Sequence, residues 1–302
     1  MRNLPDSGVP DIREYLYVDT PRVRTLLAQF TAGLPEEESS TSGHIRKWQG
    51  SFNRIVGFSR ERSESDQESR SLADLHVAML EEAAEARGVL GDISAAAAIA
   101  KNWNQERLHK ALKVGALIRI SSPTLLLDPA AFAKKAKKFD EVSGDTEFSA
   151  VVTQVVESLY GDSLAVRILP CGPERPKLRF TGMIADPGDY LGKDRPTLFS
   201  RLGADAQEWT TVASISRIPR RGQSNYSAQL ARIAGEVNQV MRQNTDRIER
   251  AALEVLIQET GRAMEEAGLS EAPSWPAISI VPLALYRQVP AFSIEPDMEV
   301  EG

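Results

Sequence analysis

The stretch "EYLYV" (Glu14–Val18) is an aromatic and aliphatic run with strand propensity, and a helical period then sets in, with Val23, Leu26, Leu27 and Phe30 recurring at i, i+3, i+4 and i+7. That change predicts a strand running into an amphipathic helix. Pro21 suits the first helical position, so Thr20 is the expected N-cap, Asp19 sits beside the positive helix end, and Gly33 is the stop. A carboxylate at a strand-to-helix junction can also be catalytic. Asp19 has no partner nearby in the sequence, so capping is the expected role.

The next stretch, "GHIRKWQGSFNRIVGFSR", sets Trp48, Phe52, Val56 and Phe58 against Lys47, Gln49, Ser51 and Asn53. It predicts a β-hairpin over 43–60 turning near Gly50. Ser71 should cap a helix that Gly88 stops, with Leu72, Leu75, Met79 and Leu80 facing inward. Short helices over 94–101 and 104–114 follow. "ALIRISSPTLLLD" then reads as two strands joined at Ser121-Ser122-Pro123. The order from 71 to 128, three helices and a hairpin, is that of a winged helix.

Beyond a soft boundary near 142 the pattern gives a helix in "FSAVVTQVVESLY" and strands in "SLAVRILP", "KLRFTGMIA" and "EWTTVASISRIP". A long helical pattern covers 225–267, "AISIVPLALYR" is a last buried strand, and an acidic tail follows. Mixed rather than regularly alternating strands and helices predict an α+β fold. We expect a mixed or antiparallel sheet, a winged-helix-like subdomain at 71–140 and a long C-terminal helix. The expected division is an N-terminal lobe, 1–142, and a C-terminal α+β lobe, 143–302.

Composition narrows the classes. The 302 residues are 42% hydrophobic and 26% charged with net charge −6, which describes an ordinary globular chain whose surface as a whole does not attract nucleic acid. One cysteine, no leader-like apolar core and no long apolar run predict a cytoplasmic protein without a membrane span. The few, scattered His and Cys residues match no metal-binding spacing, and no phosphate-binding glycine motif or nucleophile elbow occurs. We therefore expect no metal, no cofactor and no established catalytic machinery.

Basic clusters are the main positive signal. Nine Lys or Arg lie between Lys101 and Asp140, against Glu106, Asp128 and Asp140. In a winged helix, Arg107, His109, Lys110 and Lys113 would contact the major groove, and Lys134, Lys135, Lys137 and Lys138 belong to the same basic run. Two further anion candidates are Lys193 with Arg195 in a Gly-rich loop, and Arg217 with Arg220 and Arg221 at a strand end.

The segment "YLYVDTPRVRTLLAQFTAG" (Tyr15–Gly33), the Ser-, Gly- and Glu-rich stretch Ser39–Ser71, and "PLALYR" (Pro282–Arg287) resemble a bacterial family of domains of unknown function of about this length. The resemblance implies an intracellular accessory protein, from a mobile-element or phage-defence setting, and no catalytic residue. The expectation is a non-catalytic interaction or ligand-sensing protein that self-associates through 225–267 and takes a protein partner or small anionic ligand. The alternatives are a nucleic-acid binder using 101–138 and an enzyme acting on a nucleotide or other anion.

Overall fold

The computed structural model describes residues 12–32, 66–131, 156–157, 160–161, 163–184, 199, 205–221, 262, 264–265, 269 and 273–289. The chain starts with β1 (Arg13–Val18), α1 (Thr20–Ala32) and α2 (Asp66–Ala86). Then come β2 (Leu90–Asp92) and three short helices, α3 (Ser94–Ala97), α4 (Ala100–Asn104) and α5 (Arg107–Ala111). Five strands complete the order: β3 (Leu117–Leu127), β4 (Leu164–Ile168), β5 (Phe180–Ile184), β6 (Gln207–Arg217) and β7 (Ile278–Gln288).

Following the pairings β3–β4–β5–β7–β6 leads back to β3, so five strands close a small barrel. Every neighbour in it is antiparallel except β5 and β7. Two of the barrel strands carry an additional partner, with β1 antiparallel to β7 and β2 parallel to β3. The fold is therefore α+β with a mixed sheet, and strands from both sides of residue 142 belong to it. Alternation decides which residues enter the barrel: Ile120, Val166, Phe180, Trp209, Ile215 and Leu285 share one buried cluster. Where β5 and β7 run side by side, a Cβ on Gly182 would sit 2.7 Å from the Ile280 carbonyl oxygen, so the seam there needs glycine.

The outer face of the β1–β7–β6–β3 wall is covered by α1 and α2. Val18, Ala284 and Val212 stand in one cross-strand row there, and Val23, Val77 and Leu80 pack onto it. On the far side of the barrel the protein covers β4 and β5 as well. Ala165, Thr181 and Arg179 are buried, and Arg179 donates to the Glu265 carbonyl at 2.8 Å. Burial beside the like charge of Arg167 brings the Arg179 guanidinium down to about 10.

Several sequence expectations need correction. The hairpin expected at Ser121-Ser122-Pro123 is one continuous strand, β3, and without its two-stranded wing the winged-helix order does not form. Within this strand the Pro123 carbonyl accepts the Leu169 N–H at 2.8 Å, and Ser121 Oγ pairs with Thr210 Oγ1 at 2.8 Å. The expected third helix shrinks to five residues, and α2 begins at Asp66 rather than at a Ser71 cap. Its buried face is Ala73, His76, Val77, Leu80, Glu81 and Ala84, with Leu75 and Met79 only half-buried. At α1 the cap is Asp19 itself, whose Oδ1 accepts the Arg22 N–H at 3.1 Å. The hairpin expected at 43–60 lies outside the described residues, as does the long helix over 225–267 apart from Arg262, Met264 and Glu265, which are helical.

Candidate functional site

Two arrangements outside the barrel concentrate charged groups, and they differ in kind. The first is closed. Glu81 of α2, 3% exposed, reaches down onto the sheet edge. It accepts from the Tyr286 hydroxyl at 2.8 Å, from Arg13, and at 3.5 Å from Arg119. Arg119 also pairs with Glu85 at 2.5 Å and with Asp92 at 3.1 Å, while Arg13 lies 4.5 Å from the centre of the Tyr286 ring. Burial, together with the Glu81 charge, pushes the Tyr286 hydroxyl well above its usual range. Every charge here is answered, which makes the cluster a fastening between helix and sheet rather than a place for a ligand.

Asp92 extends that fastening. Its Oδ1 accepts both the Ser94 N–H (3.0 Å) and the Ser94 hydroxyl (2.7 Å). Burial raises the carboxyl, but the bonds from Ser94 and Arg119 outweigh it and hold it below the usual carboxylate range. A depressed folded-state value means that the stabilisation is fully present above the unfolded value, about 3.9, and is lost as pH falls through the folded one. The urea midpoint of Asp92→Asn is therefore expected to lie below that of wild type at pH 6, with the gap narrowing progressively below about pH 4. A gap independent of pH would show that the charge on Asp92 contributes nothing.

The second arrangement is open. A groove of about 1110 Å³ runs between α1, the C-terminal end of α2 and the segment joining α5 to β3. Leu26, Phe30, Leu117 and Leu283 line it, and the exposed side chains of Val89 and Val114 stand at its rim. Three cations, Arg22, Arg87 and Lys113, border it, and among the described residues no carboxylate does. Each is placed by local structure. Arg22 lies in the first turn of α1, just past the Asp19 cap. Arg87 donates to the Phe30 carbonyl at 2.6 Å and lies 5.2 Å over the Phe30 ring, with the chain turning behind it through Gly88 at φ +64°. Lys113 precedes Gly115, whose φ of +86° favours glycine. There the Gly115 N–H donates to Ile215 O at 2.7 Å and the Ile215 N–H to Ala116 O at 2.9 Å, which pins the loop to β6.

The sequence-predicted residues divide accordingly. Of the basic run, Lys113 joins the groove, whereas Arg107 and Lys110 are exposed on α5, Lys110 lying 3.9 Å from Glu106. Arg217 and Arg220 lie at and beyond the end of β6, and Arg221 lies 5.0 Å over the Trp275 ring. That ring is also 6.2 Å from His109 of α5, so the α5 and Arg221 regions meet at one tryptophan. Lys134, Lys135, Lys137, Lys138, Lys193 and Arg195 lie outside the described residues. Arg22 and Arg87 were missed, and as lone arginines, one in α1 and one in the turn after α2, they carry no local motif.

Among the described residues no group of three His, Cys, Asp or Glu could hold a metal ion, and no helix is long and apolar enough to cross a membrane. Cys171 is buried with its thiol 3.3 Å from the Ala97 carbonyl, and burial pushes that thiol up, away from the reactive thiolate.

The molecule is thus an α+β protein built on a five-stranded barrel, with a cation-rimmed groove beside it. The chain belongs to the DUF6414 family, a domain of unknown function, whose model matches residues 12–286. No curated protein and no solved structure matches it.

Proposed function

We propose that the protein is a non-catalytic interaction protein whose groove between α1, α2 and β3 receives an anionic partner. The observation that carries this reading is the lining itself: three cations around an apolar floor, with no carboxylate among the described residues that line it. An unanswered positive rim raises the local concentration of anions and speeds their capture, while an apolar floor adds affinity that salt does not screen. The other charge cluster favours binding over catalysis, because its carboxylates and guanidiniums are spent on one another. An accessory role in phage defence and self-association through 225–267 belong to the same proposal, resting on the family resemblance and on the helical pattern respectively.

Nucleic acid is the weaker reading. Small Greek-key barrels of five strands often bind oligonucleotides across their second and third strands. Here the corresponding strands are β4 and β5, whose outward residues Ala165 and Thr181 are buried. The basic run that prompted the nucleic-acid reading also loses Arg119, which Glu81, Glu85 and Asp92 neutralise.

The test is fluorescence polarisation with two labelled probes, a poly-glutamate peptide and a single-stranded oligonucleotide, each at low and high salt. The expected result is peptide binding that weakens with salt and falls at least about tenfold in Arg22→Glu/Lys113→Glu, the two rim cations not bonded to the fold through their side chains. Tight oligonucleotide binding that Arg107→Glu/Lys110→Glu abolishes, with no peptide binding, would overturn it.

A further inference from the structure

Beyond β7 the sequence reads Ile294-Glu295-Pro296-Asp297-Met298-Glu299-Val300-Glu301, with apolar and acidic residues in strict alternation. In an extended chain that period places the apolar side chains on one side and four carboxylates on the other. The groove presents the matching chemistry, with Leu26, Phe30 and Leu117 along its floor and Arg22, Arg87 and Lys113 along its rim. We propose that residues 296–301 are the groove's resident occupant, an acidic segment of the same chain that competes with any external partner. This inference rests on the groove being an anionic-partner site, and it adds the regulation of that site.

Reach permits the contact. The last residue described after β7 is Val289, whose N–H donates to the Ile12 carbonyl. The groove touches β7 at Leu283, six residues back, a distance of about 20 Å along a strand at ~3.3 Å per residue. Residues 290–302 extended span up to about 45 Å, which covers the return and leaves the distal acids within the groove. Charge supports the pairing as well, since the tail supplies the carboxylates that the groove's lining lacks.

Tethering makes the competition quantitative. A short flexible link holds its end at an effective concentration on the order of 1 mM. If the free segment binds an empty groove with a Kd of about 100 μM, the tethered copy weakens an external peptide by about tenfold. A free copy supplied by a second molecule would compete only in proportion to protein concentration.

The experiment uses the full chain and a fluorescein-labelled synthetic peptide of residues 290–302 as probe. Three proteins are compared: wild type, the tail variant Glu295→Gln/Asp297→Asn/Glu299→Gln/Glu301→Gln, and the tail variant carrying Arg22→Glu/Lys113→Glu in addition. The tail variant is expected to bind the probe about tenfold more tightly than wild type at every protein concentration, and the combined variant to lose at least tenfold of that. Circular dichroism melts matching wild type establish that each variant is folded. Equal affinity of wild type and tail variant overturns the inference, and so does a difference that grows with protein concentration, which would place the tail in a second copy. A scrambled peptide of the same composition separates the two levels of the argument. If poly-glutamate binds in a groove-dependent way while the tail peptide binds no better than its scramble, the groove reading stands and this inference falls. If no acidic peptide binds, both fall.

Discussion

Replacing Glu81 with alanine is expected to cost about 3–5 kcal/mol of stability, the usual loss when one member of a buried charge group is removed. The size follows from what stays behind. Glu81 is 3% exposed and is the common acceptor for Arg13, Arg119 and the Tyr286 hydroxyl. Its loss leaves a half-buried guanidinium over the Tyr286 ring, a phenol without its 2.8 Å acceptor, and a void beneath α2. Glu85 gives the contrast one turn further on. It also pairs with Arg119, but 47% of its side chain is exposed, so Glu85→Ala should cost no more than about 1 kcal/mol. Urea denaturation of the two variants tests the pair of expectations. A third protein, Glu81→Met/Arg13→Met/Tyr286→Phe, should recover most of the loss, because apolar replacements of similar volume abolish the desolvation cost together with the attraction. Glu81→Ala costing less than about 1 kcal/mol would mean that water reaches the cluster and that α2 is held by its apolar face alone.

Local signals in the chain were legible, and long-range partners were not. The β1–α1 junction could be read because the hydrophobic period changes within a few residues and the capping carboxylate, Asp19, bonds only three residues away. The one-residue error over the cap came from giving Pro21 the first helical position without letting Thr20 be helical. The strand at 117–127 was illegible for the opposite reason. Ser-Ser-Pro is turn chemistry locally, but Ser121 finds Thr210 and the Pro123 carbonyl finds Leu169, and neither partner is near in sequence. On α2 the expected inward Leu80 is buried, but Leu75 and Met79 are only half-buried and the buried face includes Glu81, because a charged residue can be buried where the sheet supplies two arginines and a tyrosine.

The groove shows the same limit at the level of function. Lys113 was singled out as part of a basic run, yet its neighbours in the groove are Arg22 of α1 and Arg87 of the turn after α2. Counting charge along a chain finds blocks, whereas a site built from isolated residues on three elements becomes visible only when topology assembles it. Arg119 shows the reverse error, since it added to the run's apparent charge although three acids from α2 and β2 hold it.

Trp103→Ala is expected to be the other large loss, about 3–5 kcal/mol, from the removal of a fully buried indole. Helix α4 has five residues, too few to be stable alone, so its position depends on this anchor. The Trp103 ring is 0% exposed, meets Phe180 of the barrel edge-on at 5.1 Å and His109 of α5 at 5.8 Å, and donates its Nε1–H to Ala97 O at 2.7 Å. It therefore ties α3, α4 and α5 to the barrel together. Trp103→Phe keeps most of the ring contact and loses one hydrogen bond, for about 1 kcal/mol, since the Ala97 carbonyl retains the Cys171 thiol. Urea midpoints rank the two variants, and hydrogen exchange locates the damage. Trp103→Ala should raise exchange across 94–111, including α5, which loses the ring that faces His109 between Trp103 and Pro276. Lys113–Ala116 should not follow. Its two hydrogen bonds to Ile215 belong to β6, so in the folded fraction the groove should keep its affinity for acidic peptide. A loss of that affinity in step with exchange at 94–111 would show that the α3–α5 segment and the groove open as one unit, with Trp103 controlling both.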